Sequence, residues 1–90
     1  MSKKKANNDL VRAHKHSSGH KPEVQSSRIC GCFYCSATFP PDEIQEWVGR
    51  HSDTALCPKC GIDAVLGDRS GWPVSDRRFL KRMSDRWFTP

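Results

Sequence analysis

Five cysteines are the residues of this chain best suited to chemistry, and four of them come in matched pairs. "CGCFYC" occupies positions 30–35 and "CPKC" positions 57–60, so Cys32-x-x-Cys35 and Cys57-x-x-Cys60 form C-x2-C-x21-C-x2-C. That spacing is close to the pattern of structural zinc sites built from two cysteine pairs. Two residues between cysteines let one tight turn aim both thiolates at a single ion, while amides of the turn donate to the sulfurs. Two such turns complete a tetrahedral four-sulfur shell with metal–sulfur bonds of about 2.3 Å. Pro58 fixes the second turn, and Gly61 allows the left-handed residue that follows it.

A shell of four protein ligands leaves no position for water or substrate, so a metal held there serves structure. Zinc is the default for four sulfurs without other redox signals, although spacing alone also suits iron. A redox Cys-x-x-Cys is expected at a helix start after a strand, and neither pair sits at one. Cys30 is the odd cysteine. It can be a small packed side chain, the commonest fate, or replace Cys32 in a shifted register with Cys35. It can also join His14, His16, His20 or His51 in a second, weak site. The sequence holds no Ser/His/Asp arrangement, no phosphate-cradling glycine loop and no paired carboxylates in a plausible cleft. Asp63 and Asp68 read as turn formers, and His51 as a solvated loop residue outside any nuclease motif. The chain is therefore expected not to be an enzyme.

The elements that must position these sulfurs are short. "RICGCFYCSATF" mixes β-favouring residues around the first pair and predicts a hairpin with the knuckle at its tip. "PPDEIQEWV" predicts a helix: two prolines, acids in the first turn, Ile44, Trp47 and Val48 at i, i+3, i+4, and Gly49 as the stop. "IDAVL" after the second pair suits a strand half facing a core. "VSDRRFLKRMSDRWF" predicts the best helix, capped by Ser75, with Phe79, Leu80, Met83 and Trp87 on one stripe of roughly 100°. Arg77, Arg78, Lys81, Arg82 and Arg86 cover its other side, where a phosphate backbone can run.

Ninety residues allow one domain, and an apolar content of 36 % leaves a core small enough to need a metal or disulfide staple. Residues 1–27 carry few apolar side chains, although "KPEVQSS" can form one helical turn. They predict a basic, largely disordered tail ahead of a zinc-binding domain over 28–90. Residues 1–28 hold seven Lys/Arg against two acids, and residues 29–90 eight against eight, so the formal charge of +5 lies entirely in the first 28 residues. No apolar stretch follows the opening lysines or approaches the ~18 residues of a membrane span. A reducing cytoplasm, where paired cysteines bind metal rather than each other, is the expected compartment.

The blocks "CGCFYC", "IQEW", "TALCPKCGIDAVLGD", "SGWP" and a terminal "WF", in that order over roughly residues 28–88, resemble those of a family of small bacterial cytoplasmic proteins with paired cysteines. The resemblance implies a small α+β fold, zinc-ribbon or treble-clef-like, with Cys32, Cys35, Cys57 and Cys60 on one Zn2+. It implies no reaction. Two functions compete, ahead of a small treble-clef-type nuclease, which needs a histidine general base and a divalent-metal ligand set in a motif that His51 does not match. One is a nucleic-acid-associated accessory, with the last helix and tail on phosphates and Trp72, Phe33 or Tyr34 available for stacking. The other is an adaptor docked on a larger protein complex, which the neutral body charge suits.

Overall fold

The computed structural model describes residues 9–88. Helix α1 covers 9–14 and passes into a 3-10 turn at Lys15–Ser17; α2 is Lys21–Gln25, with Pro22 in its first turn. The strands are β1 (Cys30–Cys32), β2 (Thr38–Phe39), β3 (Trp47–Val48), β4 (Thr54–Ala55) and β5 (Val65–Gly67), and α3 (Arg77–Phe88) follows. Among the described residues this is a small α+β arrangement of short antiparallel pairings, β2-β1-β5 in one sheet and β3-β4 in the other.

β1 is central and made of small residues for a reason. All three of its residues are buried, paired with β2 (Cys30 to Phe39, Gly31 to Thr38) and β5 (Cys30 to Gly67, Gly31 to Leu66, Cys32 to Val65). A Cβ on Gly31 would lie 2.0 Å from the Val74 carbonyl oxygen, and one on Gly67 would lie 2.2 Å from Ser27 Oγ. Missing side chains thus let the segment before α3 lie on one face of the sheet and the end of α2 on the other. With both faces covered, Ala64, Val65 and Leu66 are all fully buried, where a half-exposed alternating strand is expected from the sequence.

Two larger sequence expectations fail as well. Disorder over 1–27 does not hold for 9–27: Leu10, Ala13 and Val24 are buried in the same core as Phe33, Phe39, Leu66, Leu80 and Met83. Few as they are, these residues hold the arm to the core while Val11 stays half-buried beside it, and polar links to β4 stitch the arm down. His20 N–H donates to Asp53 O (2.9 Å), Gly19 N–H to Thr54 Oγ1 (2.9 Å) and Ala55 N–H to His20 Nε2 (3.0 Å). The domain boundary at 27/28 therefore cuts through packed structure; residues 1–8, with the three opening lysines, lie outside the described residues.

The central helix is also absent from its expected place. Only Pro41–Glu43 turns, as 3-10, and Ile44 is already extended at φ −73°, ψ 124°. Between Pro41 and Gly49 there is too little chain for a helix to hold alone. Trp47 and Val48 instead pair with Ala55 and Thr54, and Leu56 N–H reaches Glu46 O at 3.0 Å. α3 forms as read, with Phe79, Leu80 and Met83 buried and Trp87 partly so. Its cap is Asp76, whose Oδ1 accepts the Arg78 N–H at 2.9 Å, rather than Ser75.

Candidate metal centre

Both cysteine pairs fold into the same knuckle. In the first, Cys32 N–H donates to Ala37 O (2.9 Å) and Ser36 N–H to Cys32 O (2.8 Å); in the second, Cys57 N–H donates to Ile62 O (2.9 Å) and Gly61 N–H to Cys57 O (2.9 Å). The leading sulfur of each accepts the N–H two residues on, Tyr34 to Cys32 Sγ at 3.4 Å and Lys59 to Cys57 Sγ at 3.3 Å. The residue after each second cysteine is left-handed: Gly61 at φ 81° and Ser36 at φ 66°. Glycine carries that conformation freely, and Ser36 takes it because the knuckle's two backbone bonds hold it there. The first knuckle sits at the β1–β2 turn, and Phe33 N–H ties it to Ala64 O at 2.9 Å, next to β5.

These turns bring the four sulfurs of Cys32, Cys35, Cys57 and Cys60 within 4.8 Å of one another. Cys32 Sγ lies 3.7 Å from Cys60 Sγ, and Cys35 Sγ 3.8 Å from Cys57 Sγ. A tetrahedron with bonds of about 2.3 Å to its centre has edges of about 3.8 Å. The donor set and its spacing therefore fit a four-coordinate ion, and this group can hold a metal. Cys32 and Cys57 are buried while Cys35 is exposed and Cys60 intermediate, which gives the site a dry side and a wet side.

Electrostatics within the cluster favour a cation. Burial pushes the Cys32 thiol well above its usual range, and Cys57 and Cys35 nearby push it the same way, against the amides of Cys35 and Tyr34. Cys60 is also raised, first by burial. At Cys57 burial acts upward as well, but the N–H groups of Lys59 and Cys60 and the thiols of Cys35 and Cys60 outweigh it and leave that thiol lowered. Four thiolates this close repel one another; a divalent ion at their centre would remove the repulsion and displace the thiols' protons into solvent.

Cys30 stays outside the cluster. Its side chain is fully buried in the sheet, and burial, then Asp68, pushes its thiol up to about 12. None of the histidines weighed as its partners approaches a metal-like group; among the described residues only the four cysteines do. His14 stacks on Trp87 at 3.9 Å, His16 pairs with Glu23 at 3.0 Å, His20 lies against β4 and His51 is exposed in the β3–β4 turn.

The five cations of α3 are all exposed, yet they do not share one face. At 100° per residue Arg77 and Lys81 lie near each other while Arg86 sits about 180° from Arg77. Arg77, Arg78 and Lys81 line a groove of about 430 Å³ against Ser36 of the first knuckle, whereas Arg86 lies over the Trp87 ring at 4.4 Å. Of the rings considered for stacking, Phe33 is buried and Trp72 is half-buried against Phe79, with centroids 6.1 Å apart. Tyr34 is exposed, and it meets Phe88, a ring the sequence reading passes over. The signal for Phe88 was its place seven residues after Lys81, on the same helical stripe.

No helix among the described residues is long and apolar enough to cross a membrane. Comparison with protein-family models, with curated proteins and with solved structures finds no match for the chain.

Proposed function

We propose that the protein is a non-catalytic module in which one structural Zn2+, held by Cys32, Cys35, Cys57 and Cys60, clamps two knuckles of a zinc-ribbon or treble-clef-like fold. The observation that carries this reading is the match of the 3.7 and 3.8 Å sulfur separations to a tetrahedral edge, reached from two turns with the same hydrogen bonds. Four protein ligands close the shell, so the ion supplies folding free energy rather than a reactive water. The scaffold then serves binding, and nucleic acid is the partner that the cations of α3 suit best.

A second reading, an adaptor docked on a larger protein complex, is favoured by the exposed Tyr34 and Phe88, 49 % and 42 % accessible. Two measurements test the proposal. Metal analysis of the purified protein is expected to give one zinc per chain, with chelation unfolding it; structural zinc in small peptides contributes on the order of 10–16 kcal/mol. A cooperatively folded, metal-free protein would overturn the zinc reading. Titration with mixed-sequence nucleic acid is expected to show binding at low salt that weakens steeply as salt rises. Absence of such binding hands the function to the adaptor reading.

A further inference from the structure

The groove between the first knuckle and α3 has two chemically different ends. Arg77, Arg78 and Lys81 stand at its start, Ser84 and Asp85 line it toward the helix end, and Ser36 forms the opposite wall; Phe88 lies about one turn past Asp85 on the same stripe. Arg78 and Phe88 are about 15 Å apart along the axis. Lys81 Nζ holds Asp85 at 3.4 Å, so the one acid of the groove is engaged, while Arg77 and Arg78 form no ion pair among the described residues. At the far end Tyr34 and Phe88 meet edge to face, centroids 4.8 Å apart and planes at 80°, both partly open to solvent. In "CFYC" the first ring turns inward, and Phe33 is 1 % exposed. The second ring is exposed, and the Tyr34 N–H is bonded to Cys32 Sγ. The aromatic ledge is thus fixed to the metal knuckle.

We propose that this groove is a single-strand nucleic-acid site: Arg77, Arg78 and Lys81 hold the phosphate backbone, and a base stacks on the Tyr34–Phe88 ledge. The inference rests on the nucleic-acid reading above and narrows it. Cations beside an exposed ring pair match a strand whose phosphates and base faces are both accessible. A duplex offers the phosphates but keeps its base faces stacked inside, so it can use the cationic end alone. A protein partner needs no such division of cationic and aromatic ends.

The test is fluorescence anisotropy of the full-length, zinc-loaded protein with labelled oligonucleotides of one mixed sequence, single-stranded and duplex, over a salt series. The wild type is expected to bind the single strand about tenfold or more tighter than the duplex. Tyr34→Ala with Phe88→Ala is expected to remove that preference while leaving duplex affinity and its salt slope in place. Tyr34→Phe with Phe88→Tyr keeps both ring faces and is expected to retain it, which separates stacking from damage to the fold. Arg78→Glu with Lys81→Glu is expected to weaken both ligands. Equal binding of the two forms, or an alanine pair that leaves single-strand affinity unchanged, overturns the ledge while the broader reading survives. No binding to either form at low salt overturns both.

Discussion

Cys30 and Cys32 stand two residues apart on β1 with different neighbours. Cys30 is enclosed between Phe39 and Gly67 across the sheet, and Cys32 leaves the strand into a knuckle. Cys30→Ala is expected to keep full metal stoichiometry and to lose about 1 kcal/mol, the scale of one small buried group. Cys32→Ala is expected to lose tight metal binding and, with it, cooperative folding. Metal analysis beside chemical denaturation of the two variants checks this, and the reverse pattern would show that the ligands are Cys30 and its neighbours. The clustering of the four cysteines was legible because a Cys-x-x-Cys turn is specified locally, by two intervening residues and a left-handed successor. The role of Cys30 was not, since it depends on cross-strand partners 9 and 37 positions away. Ser36 escaped for a related reason: a left-handed residue announces itself in sequence only when it is glycine.

At the scale of elements, α3 was readable because its stripe and its stop lie within one run of residues. The arm formed by α1 and α2 was not, because its burial depends on bonds to β4 some 35 positions on. His20 is the centre of that attachment. Its Nε2 accepts the Ala55 N–H, so its Nδ1–H donates to the His16 carbonyl, and both ring nitrogens of this buried side chain are used only in the neutral form. Burial lowers its pKa below 6.5, against the opposing pull of the His16 carbonyl and the nearby Glu23 and Asp53 carboxylates and with a smaller push from His16. The unfolded chain therefore takes up the proton first. Docking is at full strength above about pH 6.5 and weakens as pH falls from there through the lower folded value. The protection of the Ala55 amide, its exchange rate relative to that of the unfolded chain at the same pH, is expected to fall over that acidic window. His20→Ala, which strands the Ala55 N–H, is expected to cost about 1–3 kcal/mol at neutral pH and to lose this pH response. An unchanged pH response in the variant would place the sensitivity elsewhere, in the thiol protons that compete with metal.

Over the whole molecule, the small α+β class was expected from the resemblance and from the run of short elements, and the sandwiching of β1–β5 between α2 and α3 was not. The glycines that permit it, Gly31 and Gly67, look like ordinary turn residues until Val74 and Ser27 are seen against them. The same packing carries α1 to the end of α3, where Trp87 Nε1–H donates to the Leu10 carbonyl at 3.4 Å and His14 lies on the Trp87 ring. The described chain is thus nearly a closed ring, and its order of assembly is a matter of where the ring is cut. A short Gly/Ser linker from 88 to 9 and a new opening in the exposed turn at Arg50–His51, between the left-handed Gly49 and Ser52, would give a permuted chain in which "CPKC" precedes "CGCFYC". That permuted chain is expected to take up the same single metal ion and to unfold in one transition, read by metal analysis and thermal melting. Failure to bind the ion would mean that the knuckles must be made in their present order, first pair before second.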